Sequence, residues 1–222
     1  MLTLSNLSPF ASGGNRDCYV HPLNPDRCLK VIKDVRSPEA RRAARGFPAN
    51  LRPLRFFDEN IIEKQRLEFL QKCFPEKVCS HLPSSYGMVK TDIGDAFETD
   101  LIRDSDGLIS RTVEQYIWQV GYDEALRKAI DRFFQDWSAQ CPLTRDLIPH
   151  NMVICFNGMP NIIMVDGFGR YTYISRLLEI ISSGYFFNKR KLSFESRIDA
   201  ICKQIASGDE PDHRVFGINR SA

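Results

Sequence analysis

Arg145-Asp146-Leu147-Ile148-Pro149-His150-Asn151, followed after a short apolar run by Val165-Asp166-Gly167-Phe168-Gly169, decides how this chain is read. Asp146 and Asn151 stand five positions apart, and Asp166 follows Asn151 by fifteen. Any one of these residues is ordinary on a protein surface. Their order and spacing are not. A first carboxylate can take a proton from an attacking hydroxyl, while a carboxamide and a second carboxylate supply hard oxygens for magnesium on a phosphate chain. The residues between them say how the two ends meet. Met152-Val153-Ile154-Cys155-Phe156 and Ile162-Ile163-Met164-Val165 are apolar and partly β-branched, so each predicts a short strand. Asn157-Gly158 is a turn pair that tolerates positive φ, and Pro160-Asn161 widens the connection. The hairpin brings Asn151 at its entry close to Asp166 at its exit.

Phosphotransferases of the kinase type use this arrangement, and a second cluster near the N-terminus belongs with it. Pro9-Phe10-Ala11-Ser12-Gly13-Gly14-Asn15-Arg16 is small and Gly-containing. Cys18-Tyr19-Val20 follows as a strand, then a turn at Pro22/Asn24-Pro25, then Cys28-Leu29-Lys30-Val31-Ile32 as a second strand. A Gly13-Gly14 loop lets backbone N–H groups approach an anion, and Lys30, framed by apolar neighbours, adds a positive charge. Residues 59–73 carry helical periodicity, with Ile62, Arg66, Phe69/Leu70 and Cys73 on one side. Glu63 and Glu68 are both candidates to pair with Lys30. Glu63 is favoured because Leu67, four residues on, packs on the same face.

Between these clusters, residues 34–58 are Arg-rich and broken by Pro38, Pro48 and Pro53, which predicts a connection with a short helix at 39–45. Tyr86–Lys90 and Phe97–Ile102 form a hairpin turning at Asp92–Asp95. Residues 111–120 and 123–139 are helices, and the second has a core stripe of Leu126, Ile130, Phe133/Phe134 and Trp137. After Gly169, Tyr173–Ser183 and Phe194–Ala206 read as two amphipathic helices separated by the basic run Lys189-Arg190-Lys191. The stretch after Gly208 is irregular.

Composition sets limits on function. With 222 residues, 43% of them hydrophobic, the chain is long enough to bury roughly 70–75% of its unfolded surface without staples. A net charge of +2 gives no bulk reason to bind nucleic acid or a membrane. Seven scattered cysteines without Cys-x-x-Cys read as reduced thiols in a cytoplasmic protein. No signal peptide or membrane span is expected.

The full set of marks resembles one family. Leu4-Ser5 with Pro9, Gly13-x-x-Arg16-x-Cys18-Tyr19, His21-Pro22 and Arg27-Cys28-Leu29-Lys30-Val31 lead it. Pro83, Gly87, Asp100-Leu101-Ile102 and Asp106-Gly107 follow, and the two motifs quoted first complete it. Over roughly residues 2–190 the chain resembles the YrbL family of bacterial proteins, named for the PhoP regulatory network. The resemblance implies an α+β, minimal two-lobed protein-kinase-like fold in one domain. Its β-rich N-lobe spans about 1–103 and its short helical C-lobe about 104–222. ATP and Mg²⁺ are the implied ligands. Gly13 and Gly14 cover the phosphates. Lys30 contacts them and pairs with Glu63. Asp100 and Ile102 lie where adenine meets backbone groups. Asp146 acts on the acceptor hydroxyl, and Asn151 and Asp166 bind the metal. The acceptor, a hydroxyl-bearing molecule or a protein partner, is not specified. Three departures weigh on protein-kinase activity. Ala11 replaces a first loop glycine, Thr144 stands where His commonly precedes Arg-Asp, and Gly167 is inserted into Asp-Phe-Gly. No Ala-Pro-Glu follows Asp166. A silent regulatory binding protein and a sugar or antibiotic kinase are the alternative readings.

Overall fold

In the computed structural model, all residues are described except 140, 141, 143, 145, 170–172, 213, 214 and 216, and for residues 173–183 the backbone alone is described. Arg145, quoted above, lies outside the described residues. The N-terminal part is a five-stranded antiparallel sheet in the order β1-β2-β3-β5-β4, built from Ala11–Ser12, Arg16–His21, Asn24–Ile32, Ser85–Thr91 (β4) and Gly94–Asp100 (β5). Period-2 alternation explains its two faces. Tyr19, Leu29 and Val31 join Leu4 and Ala96 in one apolar cluster, while Cys28 and Lys30 point the other way. The β2–β3 turn is tighter than expected. His21 pairs with Asn24, so Pro22-Leu23 make the turn and Pro25 falls inside β3. The register is irregular there, and ladder pairing resumes at Cys28, so the missing proline N–H is not needed.

Between β3 and β4 lie α1 (Pro38–Ala43), α2 (Glu59–Cys73) and α3 (Glu76–Cys79). Asp58 caps α2 by accepting the Ile61 N–H at 3.0 Å. The buried stripe of α2 is Asn60, Glu63, Arg66, Leu67 and Leu70; it keeps Arg66 and Leu70 of the expected side, while Ile62 and Phe69 are half-buried and Cys73 is exposed. The stripe is rotated because polar residues, Asn60 and Glu63, face inward at its N-terminal end, which a purely apolar count passes over.

The C-terminal part holds β6 (Arg111–Thr112), α4 (Val113–Gln119), α5 (Glu124–Ser138), β7 (Met152–Cys155), β8 (Asn161–Met164) and α6 (Tyr173–Ser207). Strands β6, β7 and β8 form a second sheet, with Met152 opposite Met164 and Cys155 opposite Asn161. The hairpin loop is thus five residues, 156–160, with Gly158 at φ 85°. The α5 stripe is buried, and the Trp137 indole N–H donates to the Pro142 carbonyl at 3.1 Å, which holds the approach to Asp146. One apolar core joins Leu67 and Leu70 of α2 and Phe97 of β5 to Phe133, Trp137, Met152 and Phe194. The two helices expected after Gly169 are one. Phe187, Phe194, Ile198 and Ile201 are buried along a continuous helix through the basic run. Lys and Arg are good helix formers, and a lone exposed Gly184 costs only about 1 kcal/mol, which packing of the aromatic stripe outweighs. Among the described residues no helix is long and apolar enough to cross a membrane.

Candidate active site

Lys30 is carried in the middle of the sheet, opposite Cys18 on β2 and Phe97 on β5. It is buried, and its ammonium donates to Glu63 Oε1 at 2.5 Å and to the Val165 carbonyl at 2.6 Å. Glu63 is therefore the partner of Lys30. Glu68 lies on the outside of α2 and pairs with Lys64 at 2.9 Å. The Val165 contact matters as much as the ion pair, because it draws the residue next to Asp166 against β3 from 135 positions away.

Arg16, which sequence reasoning quoted only as part of a motif, completes the cluster. It is the first residue of β2, two before Cys18, and so shares the face of Lys30. Its guanidinium lies 2.5 Å from Glu63 Oε2 and 3.0 Å from Asp166 Oδ1, with Asn60 Oδ1 at 3.4 Å. Glu63 thus gives one oxygen to each cation. Asn60 braces the same corner, donating to the Lys30 carbonyl at 2.8 Å. The signal for Arg16 was present in strand alternation, but an arginine beside Gly13-Gly14 reads as a solvated loop residue.

Charge is balanced within this group. Burial works against the Lys30 and Arg16 charges, yet Glu63 and Asp166 outweigh it and hold both cations above their usual pKa. Burial also pushes the Asp166 carboxyl up, but Arg16, Lys30 and the Gly167 N–H together bring it down to about 2. Asp166 is nonetheless 53% exposed. The Gly167 N–H at 2.6 Å and Arg16 both meet its Oδ1, which leaves Oδ2 to meet a cation.

Position 167 admits only glycine without strain or displacement. Its φ is 80°, and a Cβ would lie 2.5 Å from the Asp146 carbonyl oxygen and 2.6 Å from Asn151 Nδ2. Its own carbonyl accepts the Asp146 N–H at 3.1 Å. Asn151 Nδ2 donates to the Asp146 carbonyl at 2.9 Å, and the Asn151 carbonyl accepts the Val165 and Asp166 N–H groups. The two quoted stretches are clasped together by these bonds. Leu147 is buried beneath them, and His150 turns outward to Glu114 at 3.4 Å. Arg190 of α6 comes within the field of Asp146. Burial lowers its guanidinium pKa, and Asp146 offsets part of that.

The other expected residues sit apart from this cluster. Gly13 and Gly14 form the exposed β1–β2 turn, where the Gly13 N–H donates to the Arg16 carbonyl at 2.9 Å. Asp100 is opposite Arg27, three residues along β3 from Lys30, or roughly 10 Å. Its carboxylate is engaged by the Ser84 N–H and the Tyr86 hydroxyl, each at 2.7 Å. The Ile102 carbonyl accepts the Ser110 N–H at 2.9 Å. Among the described residues no group of three or more His, Cys, Asp or Glu is able to hold a metal. Asn151 and Asp166 offer a carboxamide and a carboxylate oxygen. That sparse, hard set fits magnesium, which takes few protein oxygens and shares the rest with phosphate and water.

The profile of the family described as PhoP regulatory network protein YrbL matches residues 2–197. The chain belongs to the YrbL family. Two relatives, each called uncharacterized protein YrbL, from Escherichia coli (strain K12) and Shigella flexneri, are 29% identical over 162 residues. That match covers 69% of this chain and 65% of each relative, so the chain spans just under two thirds of their length. Every residue of the cluster around Lys30 and Asp166 lies within the stretch matched by the YrbL profile.

Proposed function

We propose that this YrbL-family chain is a single kinase-like domain, with an N-lobe of about 1–103 and a C-lobe of about 104–222, that transfers phosphate from ATP to a hydroxyl acceptor with magnesium. The supporting observation is that Lys30, Glu63, Asp146, Asn151 and Asp166, widely separated in sequence, are gathered by the Lys30–Val165 contact and the Gly167 clasp. Lys30, held by Glu63, binds phosphate oxygens. Asn151 and Asp166 would hold magnesium, which would supply positive charge against the phosphates. Asp146 orients the acceptor hydroxyl and takes its proton. Gly13 and Gly14 cover the phosphates, and the segment from Asp100 to Ile102 borders the base. Rate enhancement here is positioning plus charge stabilisation.

Thermal melting with ATP, with and without magnesium, tests the reading on wild type and Asp166→Ala. A ligand at 100 times its dissociation constant stabilises by about 2.7 kcal/mol. A magnesium-dependent rise lost in the variant supports the site, and its absence in both sinks it. A second reading, a nucleotide-binding or silent regulator of the PhoP-linked network, is favoured by one feature. Arg16 is already paired with Asp166 and, beside Lys30, with Glu63. Phosphate release from ATP by wild type, abolished in Asp146→Ala, separates the enzyme from that regulator.

A further inference from the structure

The stretch after α6 carries no periodicity, yet its last residues are docked by specific bonds. The Asn219 N–H donates to the Phe10 carbonyl at 2.7 Å, in the segment leading into the Gly13-Gly14 turn. The Arg220 carbonyl accepts the Ile109 N–H at 3.0 Å, and Arg220 Nε donates back to the Ile109 carbonyl at 2.7 Å. Arg220 Nη2 donates to Asp104 Oδ2 at 2.7 Å. Asp104 is buried, and its other oxygen accepts the Ser110 hydroxyl and the Phe156 N–H. Through these bonds Asn219 and Arg220 tie the glycine-loop side of the sheet to the segment that follows β5.

Where Ile218 lands gives this tie a consequence. It packs against the apolar cluster of Phe10, Cys28, Leu101 and Ile109. Cys28 is two residues before Lys30 on β3, and Cys18 and Val20, which border the same cluster, pair with Lys30 and Cys28. All four strand residues therefore share the sheet face that presents Lys30. A nucleotide whose phosphates meet Lys30 would lay its flat, apolar base along this face, against Cys28 and Leu101.

We propose that residues 217–222 are an intramolecular strap that fills the base end of the candidate nucleotide site, so that nucleotide binding and strap docking exclude one another. This rests on the ATP reading above. The apparent affinity for nucleotide is then reduced by the fraction of molecules with the strap lifted. Loosening the strap raises affinity without touching a residue of the Lys30–Asp166 cluster.

The test combines calorimetric titration of ATP·Mg with amide hydrogen exchange on wild type, Arg220→Ala and Ile218→Ser. Arg220→Ala leaves Asp104 its Ser110 and Phe156 donors, and Ile218→Ser leaves Asp104 untouched, so the two variants fail to fold for different reasons if they fail at all. The expected result is ATP binding about tenfold tighter in both variants. In wild type, ATP speeds exchange at the Asn219 and Ile109 amides. Wild type that binds ATP with those amides unchanged, and variants with unaltered affinity, overturn the strap while the nucleotide site stands. Folded variants and wild type that all fail to bind ATP overturn the nucleotide reading, and the strap as its competitor with it.

Discussion

Replacing Gly167 by alanine tests the clasp on which the candidate site depends. At φ 80° a side-chain residue costs about 1–2 kcal/mol. The new Cβ would also stand 2.5 Å from the Asp146 carbonyl oxygen and 2.6 Å from Asn151 Nδ2, and the first of these is backbone. One side must move, and the Asp146–Gly167 and Asn151–Asp146 hydrogen bonds lie in the way. Losing both adds about 2 kcal/mol at roughly 1 kcal/mol each, for a total near 3–4 kcal/mol. In a chain of this length that is a fall in Tm of roughly 6–16 °C. Gly158→Ala is the control, because Gly158 has φ 85° with nothing within 4 Å of its Cβ position. It carries the conformational cost alone, about 1–2 kcal/mol. Urea unfolding of both variants gives the difference directly. Equal losses within about 0.5 kcal/mol would refute the close approach as a determinant of this loop.

Three further outcomes follow from the same geometry. Asp146→Ala, measured by phosphate transfer once an acceptor is in hand, loses roughly 10²–10⁴ in rate while ATP-induced stabilisation persists; full activity removes Asp146 from the base role. Glu63→Gln leaves Lys30 and Arg16 buried without their shared carboxylate and costs about 3–5 kcal/mol in urea unfolding, against about 0.5 kcal/mol or less for Glu68→Gln on the surface. Asp166 has a depressed pKa, so the stability it contributes is fully present above its ordinary value of 3.8 and is lost as pH falls to about 2. Stability measured across that window drops in wild type and drops less in Arg16→Met, and identical acid profiles would show that Arg16 is not what depresses Asp166.

Much of this was legible in sequence because it is local. The Asp146–Asn151 spacing, the hairpin that returns to Asp166, and the apolar frame of Lys30 each depend on a few neighbours and a fixed repeat. Glu63 was separable from Glu68 by a single i,i+4 relation to Leu67. What escaped notice depends on distant partners. Nothing near Arg16 says that its charge will be buried between a helix and a loop 150 positions on. Arg220 and Ile218 sit in a stretch without periodicity, and only the fold supplies Asp104 and the Phe10 cluster to receive them. The helices expected at Tyr173–Ser183 and Phe194–Ala206 are one because the basic run between them is itself helix-forming, and the buried Phe187 and Phe194 lie on either side of it.

The choice between enzyme and regulator turns on charge already inside the site. Arg16 and Lys30 supply two positive charges, and Glu63 and Asp166 two negative ones, so the group is neutral as folded. A lone magnesium ion approaching Asp166 therefore meets two fixed cations and gains little. On the phosphotransfer reading proposed above, ATP would bring the negative charge that makes the metal welcome, and Lys30 and Arg16 would then favour the phosphates rather than oppose the ion. Metal and nucleotide should bind together or weakly apart. That coupling is measurable by titrating each with and without the other. A coupling factor near one, with Arg16 still fixed on Asp166, means the site is closed by its own arginine and the chain acts by binding. A large factor means that Asp166 Oδ2 is used, and the phosphotransfer roles of Asp146 and Asn151 become the next question.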